Sequence, residues 1–286
     1  MKILRNILVG LFAVIGVAFV LFELNAFRHH DNEPPVITAD SDEIIISTSA
    51  TAEDLLAGLK AYDEYDGDVT DSLVVVSKSY FVTGTTVKVN YAAFDSHNNV
   101  GVYSRRVTYS DYEKPRYSIS APLRFVSRNN PDFLGSVTVH DVIDGDISSQ
   151  IKMIIQDSTY STSDTRTIPI ALKVTNSVGD TAEIYVTADI ETQYNYNRPS
   201  PALSTYLVYT EPGESIDYYS LLTGIMKGGE VFPFDESYDS SQIVMDTSEV
   251  DLYAEGTYTA KYLLQVGGEI IGSTDLFVVV EADDYE

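Results

Sequence analysis

The chain has 286 residues, with 43 acidic side chains against 18 basic ones, a net charge of −25, and neither cysteine nor tryptophan. Without Cys there is no disulfide framework, thiolate metal site or thiol nucleophile. Acidity on this scale excludes nucleic-acid binding, because phosphate contacts are made by Lys and Arg. A hydrophobic content of 44% is enough for two or three separate cores.

Lys2 and Arg5 precede an unbroken apolar run over residues 7–22, and charge resumes at Glu23, Arg28 and the pair His29-His30. With its apolar flanks the run predicts a transmembrane helix over 7–27, behind a short cytoplasmic tail over 1–6. Basic residues on the N-terminal side keep that end in the cytoplasm, so everything that follows is expected outside the cell. The competing reading is a cleaved signal peptide, for which Leu24-Asn25-Ala26 is a poor cleavage pattern because Leu24 is large.

Pro34-Pro35 then gives a stiff, extended exit. From Val36 onward the sequence alternates in short runs rich in Val, Ile, Thr and Tyr, with Gly, Asn, Asp and Ser between them, which predicts strands and turns. Val87, Val89 and Tyr91 share one face, and Lys88 and Asn90 the other. Ile44-Ile45-Ile46 and Val74-Val75-Val76 are apolar on both faces, as expected for strands covered on both sides or at a sandwich corner. Ala52 to Leu59 predicts a single helical turn.

Tyr112-Glu113-Lys114-Pro115 reads as a linker, after which the cycle restarts. Pro169, inside the run from Ile168 to Val174, predicts an edge strand or a bulge. A second linker with Pro199 and Pro201 leads to a more divergent third cycle, in which Gly256 to Tyr262 and Leu276 to Val280 are strand-like. The expected fold is all-β: three tandem sandwiches over 34–112, 115–193 and 199–282.

The first two cycles share an acidic corner. Asp63, Asp66, Asp68 and Asp71 surround Gly67, and Asp141, Asp144 and Asp146 surround Gly145, 78 residues further on. A repeat of that length marks a tandem array. These carboxylates offer hard oxygen ligands suited to calcium. The same residues also suit a structural turn, with glycine in the left-handed conformation and Asp side chains accepting from backbone N–H groups. Turn chemistry alone accounts for them, and no bidentate Glu at EF-hand spacing closes either loop. No other cofactor is expected.

Pro34-Pro35-Val36-Ile37, Asp63 to Thr70, Tyr91-Ala92-Ala93-Phe94-Asp95 and Asn98-Asn99 together resemble the bacterial immunoglobulin-like repeats of surface proteins and some crystal toxins. Asp141 to Ser148 and Val174 to Asp180 carry the likeness into the second cycle, and Gly256 to Tyr262 into the third, where the Asp-Gly-Asp corner is missing and Phe234-Asp235-Glu236-Ser237 stands near its place. The resemblance implies Ig-like sandwiches of about seven strands used as spacer and display modules without catalysis.

No catalytic constellation stands out. His29, His30, His97 and His140 form no zinc set, there is no Gly-x-Ser-x-Gly elbow, and with 43 acidic residues paired carboxylates arise by chance. The chain is therefore not expected to be an enzyme. Tyr194, Tyr196, Tyr206, Tyr209, Tyr218, Tyr219, Tyr238, Tyr253, Tyr258 and Tyr262 crowd the third cycle and the linker before it. They suit strand packing, or, if exposed, an aromatic binding face. The expected role is a membrane-anchored extracellular stalk, adhesion or scaffolding module with an unidentified protein or glycan partner. The alternatives are recognition of a glycan or peptide by the third sandwich, and a non-catalytic accessory subunit of a surface enzyme or envelope complex.

Overall fold

The computed structural model describes residues 2–28, 31–127, 131–156 and 166–282, without the side chains of 2–6 and 23–28. His29, His30 and the C-terminal residues 283–286 thus lie outside the described residues. Helix α1 (Lys2–Arg28) has no acidic residue in its first turn, and every side chain described in it, over 7–22, is exposed. Among the described residues no helix is long and apolar enough to cross a membrane. The transmembrane span expected over 7–27 is thus not supported by the described residues.

The chain divides into two compact units, one of residues 1–46, 50–82 and 86–108, the other of 47–49, 83–85 and 109–286. The first holds strands β1 (Val36–Ala39), β2 (Glu43–Ile46), β3 (Leu59–Asp63), β4 (Gly67–Asp68), β5 (Val74–Thr83), β6 (Thr86–Phe94) and β7 (Val100–Tyr109). They form a three-stranded sheet, β1-β3-β4, and a four-stranded sheet, β2-β7-β6-β5. Period-2 alternation sets their faces: Val87, Val89 and Tyr91 are fully buried, while Lys88 is exposed. Helix α2 (Ala52–Leu56) opens on a capping box, in which the Thr51 and Asp54 side chains each accept from the other's backbone N–H, and it buries Leu55. Arg105, buried among these residues, donates to the Tyr91 hydroxyl and to the carbonyls of Leu55 and Ala57, which satisfies its charge.

The apolar triplets behave differently from expectation. Ile45, Val74 and Val76 are exposed because they lie on the open face of their sheet, as does Val102 on the inner strand β7, the other face being against the core.

The second unit repeats the plan twice. Strands β8 (Arg116–Ile119), β9 (Arg124–Val126), β10 (Val137–Asp141), β11 (Gly145–Asp146), β12 (Lys152–Ile155), β13 (Arg166–Thr175) and β14 (Thr181–Glu191) form sheets β11-β10-β8 and β12-β13-β14-β9. After the short helix α3 (Gln193–Tyr196) come β15 (Ser200–Leu203), β16 (Leu207–Thr210), β17 (Leu222–Lys227), β18 (Glu230–Phe232), β19 (Ile243–Asp246), β20 (Gly256–Val266) and β21 (Glu269–Val280), in sheets β15-β17-β18 and β16-β21-β20-β19. Pro169 lies one residue beyond the β12 ladder, which ends at Ile155 opposite Ile170. Its carbonyl still accepts from Gln156 N at 3.0 Å, so its missing N–H forgoes the return bond at the ladder's end, and β13 is an inner strand in unbroken register with β14, not the edge or bulge expected.

The two sandwiches of this unit share one cluster of buried side chains, from Tyr117 to Val280. The joint is also hydrogen-bonded. Tyr206 N donates to Ile119 O at 2.9 Å, and Tyr117 N to the Tyr209 hydroxyl at 2.8 Å. Arg124 holds Glu191 with two bonds of 2.9 and 2.8 Å and reaches the Ser200 hydroxyl at 2.8 Å. Burial raises the pKa of the Tyr209 hydroxyl to about 12 against the opposing pull of the bond from Tyr117, so it stays a neutral acceptor.

Candidate functional site

Each acidic corner begins at the end of a strand whose alternation buries its last carboxylate: β3 ends at Asp63 and β10 at Asp141, both almost inaccessible. In each, the buried Oδ1 accepts from the backbone two and three residues on. Tyr65 N and Asp66 N donate to Asp63 at 2.9 Å; Ile143 N and Asp144 N donate to Asp141 at 2.9 and 2.8 Å. Gly67 (φ 79°) and Gly145 (φ 71°) then turn the chain back in the left-handed region.

The other expected ligands are occupied in the turn. Asp66 accepts from the Ser96 N–H and hydroxyl at 2.7 and 2.8 Å, and Asp144 from those of Ser177, both at 2.6 Å. Each thereby clasps its corner to the loop between the last two strands of its sandwich. Asp68 accepts from Thr70 N, and Asp146 from the N–H and hydroxyl of Ser148, and these bonds lower the pKa of both carboxyls. Asp71 is exposed at the start of a short 3-10 turn.

The structure instead brings Asp63 together with two residues that sequence reasoning missed. Ligand atoms of Asp31, Asp63 and Asp95 all lie within 4.8 Å of one another. Asp95 follows β6, and its Oδ1 accepts from His97 N and Asn99 N at 2.8 Å while its Oδ2 accepts from the Asn99 amide at 2.6 Å. Burial opposes ionisation of Asp95, but these donors outweigh it and lower its pKa. Asp31 arrives from the segment after α1, and its backbone carbonyl accepts from the Asn99 amide at 3.2 Å. Gly101 makes that approach feasible, because a Cβ there would stand 1.9 Å from Pro35 O. Asp31 Oδ2 is buried with no hydrogen-bond partner among the described residues.

The equivalent corner of the second sandwich has Asp141 with Asn176 and Tyr112. Asn176 lies 81 positions beyond Asp95, and Tyr112 lies 81 beyond Asp31. The Asn176 amide donates to Asp141 Oδ2 at 2.9 Å and to the Tyr112 hydroxyl at 2.8 Å, and its Oδ1 accepts from Val178 N and Asp180 N. Tyr112 in turn donates to Asp180 at 2.8 Å. Every polar atom of Asn176 is thus satisfied. An internal alignment of the two repeats carries the signal that could have found the triad, since the change from Asp95 to Asn176 is visible in it.

Neither described histidine adds a metal ligand: His97 packs edge-on against Tyr65 at 5.2 Å and His140 is exposed on β10. Of the ten tyrosines in and before the third cycle, Tyr194, Tyr219 and Tyr253 are exposed; Tyr206 and Tyr262 are fully buried and the others half-buried. The joint between the second and third sandwiches holds a further pair of carboxylates, Asp189 and Asp275. Burial raises both, Asp275 to about 6 with a contribution from the charge of Asp189.

No family model and no curated protein matches this sequence. Among solved structures, the chain is similar to the CBM51-2 and INT domains of Clostridium perfringens ZmpB in complex with GlcNAc, at 13% identity and a TM-score of 0.22 over 55% of this chain and 41% of that one. It is also similar to the protocadherin GammaB4 extracellular domain (11% identity, TM-score 0.19, 87% of this chain and 49% of that one). A third such structure is mouse cadherin-23 EC22-24 (13%, 0.21, 87% and 99%). The chain spans less than half the length of the first two. Similarity at this level carries no argument, and the sandwich description rests on the sheets themselves.

Proposed function

We propose that this chain is a membrane-anchored, extracellular, non-catalytic Ig-like protein that serves as a stalk, adhesion or scaffolding module. The observation that carries the reading is the fusion of the second and third sandwiches through one buried cluster and a hydrogen-bonded joint. A joint of that kind resists bending, which suits a part whose task is to hold a surface at a distance. The polar residues at the corners support the non-catalytic reading, because most are engaged in holding turns and loops.

The apolar side chains over 7–22 support an anchor. They are exposed along the whole stretch, Phe12 at 80% and Phe22 at 71%, and an apolar surface of that extent is normally covered. A bilayer is the cover proposed here. The packing of Tyr206, Tyr262 and their half-buried neighbours weighs against an aromatic recognition face on the third sandwich and leaves only Tyr219 and Tyr253 exposed on it.

The test is fractionation of bacterial cells expressing the full chain with a C-terminal epitope. The protein should stay with membranes after alkaline extraction, and external protease should remove the epitope from intact cells. An epitope protected until lysis, or a protein released by alkali, overturns the reading.

A further inference from the structure

We propose that Asp31, Asp63 and Asp95 form a calcium site at the corner of the first sandwich, a property that goes beyond the role proposed above and does not depend on it. Two oxygens on opposite sides of a calcium ion, each at about 2.4 Å, are about 4.8 Å apart. The three carboxylates, with ligand atoms within 4.8 Å of one another, can therefore all reach one ion. The set is all oxygen and all anionic, which suits a hard cation and not a softer transition metal. Water completes the coordination of six to eight that calcium takes.

Two observations beyond the clustering point to a ligand. The first is Asp31 Oδ2, buried with no hydrogen-bond partner among the described residues. Such an oxygen is costly unless a proton or a cation meets it. The second is the corner of the other sandwich, which is an internal control. There the Asn176 amide places its N–H groups between Asp141 Oδ2 and the Tyr112 hydroxyl. In the first sandwich the corresponding residue is Asp95, which has no N–H to give, and Tyr112 is replaced by a third carboxylate. The first corner keeps an amide at Asn99, where the second has Asp180, but that amide donates to Asp95 Oδ2 and Asp31 O, and Asp31 Oδ2 is left without a donor among the described residues.

The frame is also held in place before any ion arrives. Backbone N–H groups fix Asp63 Oδ1 and Asp95 Oδ1, and the Asn99 amide ties Asp31 O to Asp95 Oδ2. Asp31 lies three residues past Arg28, the last residue of α1. Calcium bound here would fasten the segment that leaves the helix onto the sandwich, making the link between α1 and β1 dependent on the ion.

The test uses the full chain in detergent. Wild type, Asp95→Asn and Asp31→Asn are melted in chelator and in saturating calcium, and binding is followed by tyrosine-sensitised terbium luminescence. Calcium should raise a wild-type melting transition by about 5 °C or more, and terbium should bind and be displaced by calcium. Asp95→Asn removes one of the three carboxylate ligands, so it should lose the shift. Asp31→Asn, in the segment outside the sheets, should lose it as well. The proposal is overturned by a wild type indifferent to calcium, as a proton shared by Asp31 and Asp95 would make it. It is equally overturned by a shift that survives in both variants, which would assign binding to the acidic surface at large, or by a response to magnesium but not calcium.

Discussion

In the first sandwich Asp63, Asp95 and Asp31 converge, with Asp95 Oδ2 held by the Asn99 amide and Asp31 Oδ2 without a partner among the described residues, whereas in the second Asp141, Asn176 and Tyr112 complete one another's hydrogen bonds. The surroundings are nearly the same: a strand ending in a buried carboxylate, a left-handed glycine, and a clasp from Asp66 or Asp144 to a serine across the corner. The contrast teaches that one amide can take the place of a cation. An Asn presents two N–H groups where an Asp presents an oxygen, and at a buried site that difference decides whether the corner is complete by itself.

The strongest way to break the comparison is Asn176→Asp. It removes both amide donors and sets a new carboxylate against Asp141, so we expect a loss of about 3–5 kcal/mol in chelator, measured by urea denaturation. A variant as stable as wild type would mean that the amide does not hold the second corner together.

Acid response should separate the two units. Asp275 has its pKa raised to about 6 by burial and by Asp189, so the folded state binds its proton more tightly than the unfolded chain does. Its contribution therefore grows as pH falls from above 6 toward the ordinary carboxylate range, by at most about 3 kcal/mol. Asp95, held below its usual value by its hydrogen bonds, behaves in the opposite sense. Its contribution is present above the unfolded carboxyl value and is lost as pH falls through the lowered one. Melting curves between pH 7 and 4 should show the second unit gaining stability in that range; an Asp275→Asn variant with an unchanged profile would count against the assignment.

Gly101→Ala sharpens the comparison at the first corner alone. The new Cβ meets Pro35 O, so the segment carrying Asp31 must move. We expect about 1–3 kcal/mol of destabilisation, the usual cost of overpacking, and a weakened calcium response. The second sandwich has Ala182 at the equivalent position, so an unaffected Gly101→Ala variant would show that the close approach is dispensable.

The clasps should give the smallest and most similar effects. Asp66→Ala and Asp144→Ala each remove two partly exposed hydrogen bonds to a serine, for about 1 kcal/mol apiece. A much larger loss at one corner than at the other would show that the two frames are not equivalent.

Much of this molecule is written locally. Alternation in Val87-Lys88-Val89-Asn90-Tyr91 set the buried face of β6 because side-chain direction in a strand has a fixed period of two. The Asp-Gly-Asp corners were legible for the same reason, since left-handed glycines and Asp-to-backbone bonds act within a few residues. Ile45, Val74 and Val76 were not legible, because whether both faces of a strand are covered depends on what packs against the sheet as a whole. Asp31 and Asp95 lie 32 residues to either side of Asp63. Only the closing of the sandwich, with Pro35 laid against Gly101, brings the three carboxylates within reach of one ion. The sequence by itself determined the strands, the turns and the excess of negative charge. Which of those charges meet was decided by tertiary structure, because electrostatic and hydrogen-bonding partners are chosen by distance in space and not along the chain.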